Sequence, residues 1–131
     1  MRTPLIAGNW KMNLTSAEGV ALVTALKDAL AGVTGADAAV CPPFPLLKPV
    51  ADALAGSRIA LGAQDLFWEA KGAYTGQVSG SMLKDMCCTY VIIGHSERRG
   101  RFGTLPAGWS DELLLAFGDH DAVVNRKVRA A

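Results

Sequence analysis

The chain has 131 residues, and half of them are hydrophobic, which suits one folded domain with a core and excludes a chain that is disordered by composition. Its 13 basic and 12 acidic residues leave a net charge of +1, so composition gives no electrostatic reason to bind nucleic acid or an anionic membrane. Three cysteines without paired spacing argue against zinc and favour reduced thiols. We expect a single cytoplasmic domain over residues 1–131, with no metal and no cofactor.

The first forty residues predict a strand, a helix and a second strand. The apolar run Leu5–Trp10 predicts the first strand. Thr15 and Glu18, three residues apart, form the pattern of a capping box, which predicts that a helix begins there. A second apolar run, Ala36–Cys41, predicts the second strand. The helix carries one apolar stripe with a four-residue repeat, formed by Leu22, Leu26 and Leu30, with Val23 beside it.

The middle of the chain repeats this alternation. A second helix is predicted with Pro49 near its first turn and its body over Val50–Ala55. Arg58–Gly62 predicts the third strand. The loop Gln64–Ser79 follows, and loops of that length are uncommon unless they have a function. A short helix at Ser81–Met86 then leads into the fourth strand, Tyr90–Ile93.

The last part of the chain predicts a loop and two helices. The loop is Thr104–Trp109, and a short helix follows over Ser110–Phe117. The last helix is Asp121–Ala131, in which Val124 and Val128 lie four residues apart on one face. It ends without a glycine cap or a following strand, as expected where a longer architecture has been cut. Alternating strands and helices throughout predict βαβ units and a parallel sheet.

Polar, titratable side chains follow two of the predicted strands. Asn9 and Lys11 lie at the end of the first strand, and His95 and Glu97 follow the fourth, each pair after a glycine. Ligands of parallel α/β folds bind just beyond the carboxyl ends of such strands. An amide, a cation, an imidazole and a carboxylate at one rim therefore predict a site for a small molecule.

Four segments in series carry a recognisable pattern: Gly8–Asn13, Gly62–Asp65, Gly72–Gly76 and Gly94–Arg99. Together they resemble the triosephosphate isomerase family. The resemblance implies that the fold is half of a (β/α)8 TIM barrel made of four parallel βα units, because a whole barrel has about 250 residues. It also implies an ancestry in the interconversion of dihydroxyacetone phosphate and glyceraldehyde 3-phosphate in glycolysis, with a triose phosphate as the substrate.

The resemblance further implies roles for single residues. Asn9 and Lys11 match substrate-binding positions of the family. His95 matches its electrophile, a neutral imidazole that polarises the substrate carbonyl and helps to move protons. Glu97 matches a carboxylate close to the lysine and the histidine and is expected to be the second catalytic residue, with a role in ion pairing and orientation and a debated part in proton transfer. Thr75 matches the tip of an interface loop, which enters the neighbouring subunit and supports its lysine and histidine.

The base of the family follows a sixth strand, and a lid and glycine-rich phosphate loops come later. None of these segments has a counterpart in the four predicted units, so we expect the isolated chain to have little or no isomerase activity. A non-catalytic, self-associating half-barrel is the alternative function. Open strand edges and an exposed apolar face predict a homo-oligomer, or pairing with a complementing C-terminal half.

The sequence is also compatible with another fold and with purely structural roles for the site residues. Four βα units are also compatible with a flavodoxin-like, doubly wound sheet. Taken singly, Lys11 is compatible with a side chain lying along a strand end, and Asn9 with a turn former. His95 by itself is compatible with a partly buried structural histidine, and Thr75 with an ordinary surface loop.

Overall fold

A computed structural model of the chain describes residues 2–105 and 107–131 and shows a four-stranded parallel sheet. The strands are paired side by side in the order in which they occur along the chain. A flavodoxin-like sheet reverses its strand order at a switch point, so this order excludes it and confirms the predicted half-barrel. The strands are β1 (Leu5–Asn9), β2 (Asp37–Cys41), β3 (Ala60–Ala63) and β4 (Tyr90–Val91).

Helices follow each strand, so that the predicted βα alternation is present in the described residues. Two 3-10 turns accompany them, at Phe44–Leu46 and Ser96–Arg99. The α-helices are α1 (Ser16–Leu30), α2 (Leu47–Leu54), α3 (Gly80–Asp85), α4 (Asp111–Leu114) and α5 (Asp121–Ala130).

Several element boundaries differ from the prediction. Helix α2 begins at Leu47 and has Pro49 in its first turn, as predicted, where a missing N–H breaks no hydrogen bond, and it ends at Leu54, one residue before the predicted end. Strand β4 and helix α4 are both shorter than predicted. The pairing of β3 with β4 nevertheless continues one hydrogen bond beyond the end of β4, since the Ile92 N–H donates to the Ala63 carbonyl at 2.9 Å.

The core lies where α1 and α2 pack on the sheet. A Cβ at Gly19 would lie 3.0 Å from Trp10 and 3.1 Å from Leu46, so glycine allows this close approach of α1. Val23 is fully buried, whereas Leu22 is 40 % exposed, so the predicted stripe was wrong at that position: α1 is rotated toward the Gly19–Val23 face. The buried cluster consists of Val23, Val40, Leu46, Leu47, Val50, Leu54, Ile59, Leu61, Ala63, Leu66 and Leu83.

Helix α5 also faces the protein differently from the prediction. Val128 is 58 % exposed, while Lys127, which the apolar pattern did not single out, is buried. The reason is that two carboxylates lie beneath the helix and take Lys127 as their partner.

Strands β1 and β4 form the two edges of the described sheet. Apolar side chains at these edges are open to solvent, and Ile6 in β1 is 65 % exposed. This agrees with the open edges expected for half of a barrel. Among residues 2–105 and 107–131, each helix is too short or too polar to span a lipid bilayer.

Candidate functional site

The exit of β1 holds the first two predicted site residues in a tight turn. Asn9 is the last residue of the strand, and its Oδ1 accepts a hydrogen bond from the Lys11 N–H at 2.9 Å. Asn13 closes the turn by donating from Nδ2 to the Trp10 carbonyl at 2.7 Å. Lys11 has φ +54°, in the left-handed region that is uncommon and strained for residues other than glycine. Such strain persists only where the surroundings impose it.

The region after β4 holds the other two predicted site residues, His95 and Glu97. Gly94, with φ +65°, turns the chain so that His95 caps the 3-10 turn Ser96–Arg99. The His95 Nδ1 accepts a hydrogen bond from the Glu97 N–H at 3.2 Å. Nδ1 therefore has no proton in this arrangement, and a neutral imidazole must carry its proton on Nε2. The Glu97 carboxylate lies 3.6 Å from Nδ1, too far for a hydrogen bond.

The side chains of Lys11 and Glu97 join the two strand exits. Lys11 Nζ lies 2.9 Å from Glu97 Oε1, although β1 and β4 are opposite edges of the sheet. In a flat sheet these strands would be three spacings apart, about 14 Å, and the curvature of a half-barrel shortens the distance that the side chains span. The pair is 52 % and 35 % exposed, so solvent screens it and its contribution to stability is small. Its consequence is a fixed position for the ammonium.

A cleft of about 700 Å³ opens over these residues. Asn9, Lys11, His95 and Glu97 all line it. Apolar residues also line the cleft, and they include an aromatic cluster in which neighbouring ring centres are 5.3–5.5 Å apart. The members of this aromatic cluster are Phe102, Trp109 and Phe117.

The aromatic cluster changes the interpretation of the second predicted loop. Thr104–Trp109 was predicted as a plain loop, yet its last residue lines the cleft. Pro106, within that loop, lies outside the described residues. The segment between the 3-10 turn and α5 therefore contributes to the wall of the site.

A buried charge cluster lies behind the turn that carries His95 and Glu97. Lys127 Nζ donates to Asp65 Oδ1 and to Asp119 Oδ2, both at 2.6 Å. Arg98, in the same 3-10 turn as Glu97, lies 3.1 Å from Asp65 Oδ2 and 3.8 Å from Asp119 Oδ1. Two cations thus meet two carboxylates, and the charges balance.

Arg99 fastens the other side of the same turn. Its Nε donates to the Gly94 carbonyl at 2.9 Å, and its Nη1 lies 2.7 Å from Asp121 Oδ1. The hydrogen bond from Arg99, assisted by its charge, lowers the pKa of the Asp121 carboxyl. Arg98 and Arg99 both therefore have structural partners.

Thr75 does not join the cleft of its own chain. It lies in an exposed stretch, residues 69–77, in which the ring of Tyr74 contacts that of Phe67 with 4.7 Å between the ring centres. The structure therefore brings four of the five predicted site residues together and places Thr75 outside the cleft, at the surface.

Sequence reasoning missed other residues that support the site. Gln64 donates through Nε2 to the carbonyls of Lys11 and Cys41, each at 2.8 Å. Its position directly after a strand was the available signal. Lys127 also had a signal, since a charge three residues after Val124 lies near the apolar face of a helix and indicates a buried partner. The described residues contain no cluster of three or more metal-ligating side chains.

Sheet order and the polar groups at the carboxyl ends of the strands define the class as one half of a (β/α)8 barrel. The sequence model of triosephosphate isomerase matches residues 4–131. The chain therefore belongs to the triosephosphate isomerase family.

Single relatives show the same similarity and its extent. The triosephosphate isomerase of Moorella thermoacetica is 56 % identical over 117 residues, which are 89 % of this chain and 47 % of the relative. That of Herpetosiphon aurantiacus is 50 % identical over 131 residues, 100 % of this chain and 46 % of the relative. The crystal structure of triosephosphate isomerase from Bartonella henselae superposes with a TM-score of 0.81 at 37 % identity, covering 99 % of this chain and 47 % of that one. The chain spans about half the length of the relatives it matches.

Proposed function

We propose that this chain provides one wall of a site that interconverts dihydroxyacetone phosphate and glyceraldehyde 3-phosphate. The observation that carries the proposal is the 2.9 Å contact of Lys11 with Glu97 beside His95, at strand exits of a family half-barrel. It places a cation and a neutral hydrogen-bond donor at one rim. These are the groups that an anionic, carbonyl-bearing substrate requires.

Each rim residue has one task in this proposal. The Lys11 ammonium attracts the negative charge of the substrate, and Asn9 uses Nδ2 because its Oδ1 already accepts from the Lys11 N–H. His95 donates from Nε2 to the substrate carbonyl oxygen and stabilises the negative charge that develops there. Glu97 holds the ammonium in place.

Glu97 is not proposed as the base that removes the proton beside the carbonyl. Its carboxylate is paired with Lys11, and proton abstraction needs a base placed on the substrate carbon. The relatives extend to about twice the length of this chain, and we propose that the base lies in the part without a counterpart here. Lack of a general base costs about 10²–10⁴-fold in rate, so the 131 residues alone turn over little.

Association is the second part of the proposal. Exposed apolar side chains on β1, such as Ile6, and unpaired edges at β1 and β4 favour contact with a second copy or a complementing half. The exposed position of Thr75 fits an interface loop that acts in a neighbouring subunit. Three free thiols fit a reducing, cytoplasmic setting. A purely structural half-barrel, without catalysis, is favoured by the same exposed surface.

Turnover assays separate these two functions. The chain is assayed with glyceraldehyde 3-phosphate alone and then mixed with the C-terminal half of the Moorella thermoacetica relative. Activity is expected only in the mixture, and His95→Gln is expected to lower it by about 10²-fold or more. His120→Gln is the matched control, because His120 is the other histidine and lies exposed away from the rim. A mixture that associates by light scattering yet never turns over contradicts catalysis and supports the structural alternative.

A further inference from the structure

One side-chain amide ties together the ends of three neighbouring strands. Gln64 directly follows β3, and its Nε2 donates at 2.8 Å to the Cys41 carbonyl at the end of β2 and at 2.8 Å to the Lys11 carbonyl just after β1. Both hydrogens of the amide are used, and both acceptors are carbonyl oxygens. A side chain without a hydrogen-bond donor, such as an ionised carboxylate, cannot replace either bond.

Lys11, whose carbonyl accepts one of these bonds, has a strained backbone conformation. Lys11 has φ +54°, and its N–H is bound by Asn9 on one side while its carbonyl is bound by Gln64 on the other. A left-handed conformation of a residue with a long side chain has to be imposed by such contacts. The direction of the Lys11 side chain, and hence its contact with Glu97, depends on that backbone conformation.

We infer that Gln64 is a positioning residue: its amide holds the Lys11 backbone in the conformation that directs the ammonium to Glu97 and into the cleft. The effect of Gln64 on the Lys11 backbone involves only residues of this chain. The catalytic consequence rests on the proposed function, because it requires that Lys11 binds the substrate.

A spectroscopic test needs no turnover. In the chain with 13C-labelled lysine, an ammonium held by Glu97 makes the two Lys11 Cε protons inequivalent, and Lys11→Arg identifies that signal by its loss. Gln64→Glu keeps the size of the side chain but presents a carboxylate to two carbonyls. We expect the two proton signals to merge in Gln64→Glu, as in Glu97→Gln.

Two controls separate positioning from general destabilisation. Gln77→Glu makes the same change at the other glutamine, which lies in the exposed stretch that contains Thr75. Leu54→Ala destabilises the core at the end of α2. Both are expected to leave the Lys11 signals separate. Merged signals in the unmodified chain, or signals that stay separate in Gln64→Glu, overturn the inference.

The enzyme reconstituted with the C-terminal half gives the second test. Gln64→Glu is expected to lower kcat/KM by about 10²-fold, because misplacing a substrate-binding group by about 1 Å has that effect. In a Lys11→Met background the same change is expected to add about twofold or less, since it acts through Lys11. A full additional loss in that background overturns the inference. If no mixture turns over, the proposed function fails, while the spectroscopic result still decides the role of Gln64.

Discussion

Lys127 Nζ and Asp65 Oδ1 lie 2.6 Å apart although 62 residues separate them in the chain, and the lysine side chain is only 3 % exposed. The contact fastens α5 to the loop after β3. Asp65 also pairs with Arg98, which lies in the same 3-10 turn as Glu97, so the contact links α5 to that turn as well. A buried charge requires this degree of pairing, because removing one partner leaves the remaining buried charges of the cluster unbalanced.

Replacing Lys127 therefore tests how the fold supports the site. Lys127→Met leaves Asp65 and Asp119 buried with only Arg98 nearby, and we expect a loss of about 3–5 kcal/mol in unfolding free energy. Urea denaturation followed by circular dichroism measures it. Arg129→Met removes a charge from an exposed position on the same helix and is expected to change stability by about 0.5 kcal/mol or less. Equal effects of the two substitutions contradict the assignment.

Gly94 is expected to tolerate no side chain. Its φ is +65°, and a Cβ there would lie 2.8 Å from Val124 and 3.0 Å from Arg99. Gly94→Ala is expected to destabilise the chain by about 1–3 kcal/mol from backbone strain alone, and to disturb the turn at His95. Thermal unfolding measures the loss. Gly32→Ala, where a new Cβ meets nothing within 4 Å, is the control and is expected to be close to neutral.

The three cysteines are expected to react in a fixed order. Burial, reinforced by the neighbouring Cys41 and Cys87, raises the pKa of the Cys88 thiol to about 11, and burial also raises the pKa of Cys41. At pH 8 about 0.1 % of Cys88 is then thiolate, the reactive form. Iodoacetamide is expected to label the exposed Cys87 first and the other two only after unfolding, as counted by mass spectrometry. Fast labelling that survives Cys87→Ser contradicts this order.

Acid is expected to remove the contribution of the Arg99–Asp121 pair. The pKa of Asp121 is lowered in the folded chain, mainly by the hydrogen bond from Arg99, so its contribution is present above the unfolded pKa of about 3.9 and is lost as pH falls through the folded pKa. The melting temperatures of the wild type and Asp121→Asn are expected to differ at pH 7 and to converge as the pH falls below the lowered pKa of Asp121. Asp85→Asn, at another exposed aspartate, controls for general charge effects. A difference that is unchanged at low pH argues against the pair.

Much of the fold was predictable because its signals are local. The capping box of Thr15 and Glu18 is present, with the Glu18 carboxylate accepting from the Thr15 N–H at 2.7 Å, and these partners are three residues apart. Apolar runs likewise identified all four strands. Boundaries were less predictable, because the end of a strand depends on how far its neighbour extends, as at β4.

The buried faces of helices were the least predictable feature. Leu22 and Val128 fit apolar repeats but are exposed, while Lys127 is buried. The orientation of a helix depends on the surface against which it packs. The close approach at Gly19 orients α1, and the carboxylates of Asp65 and Asp119 orient α5.

The amino-acid sequence by itself determined which chemical groups stand at the rim, since apolar strands that end near glycine carry Asn9, Lys11, His95 and Glu97 to the same end of a parallel sheet. Only the tertiary structure decided that the Lys11 ammonium and the Glu97 carboxylate come within 2.9 Å of each other and that Gln64 donates to the Lys11 carbonyl. Those contacts join residues from different βα units. The distance between such groups follows from the curvature of the sheet and the packing of its helices, and no short stretch of sequence encodes either.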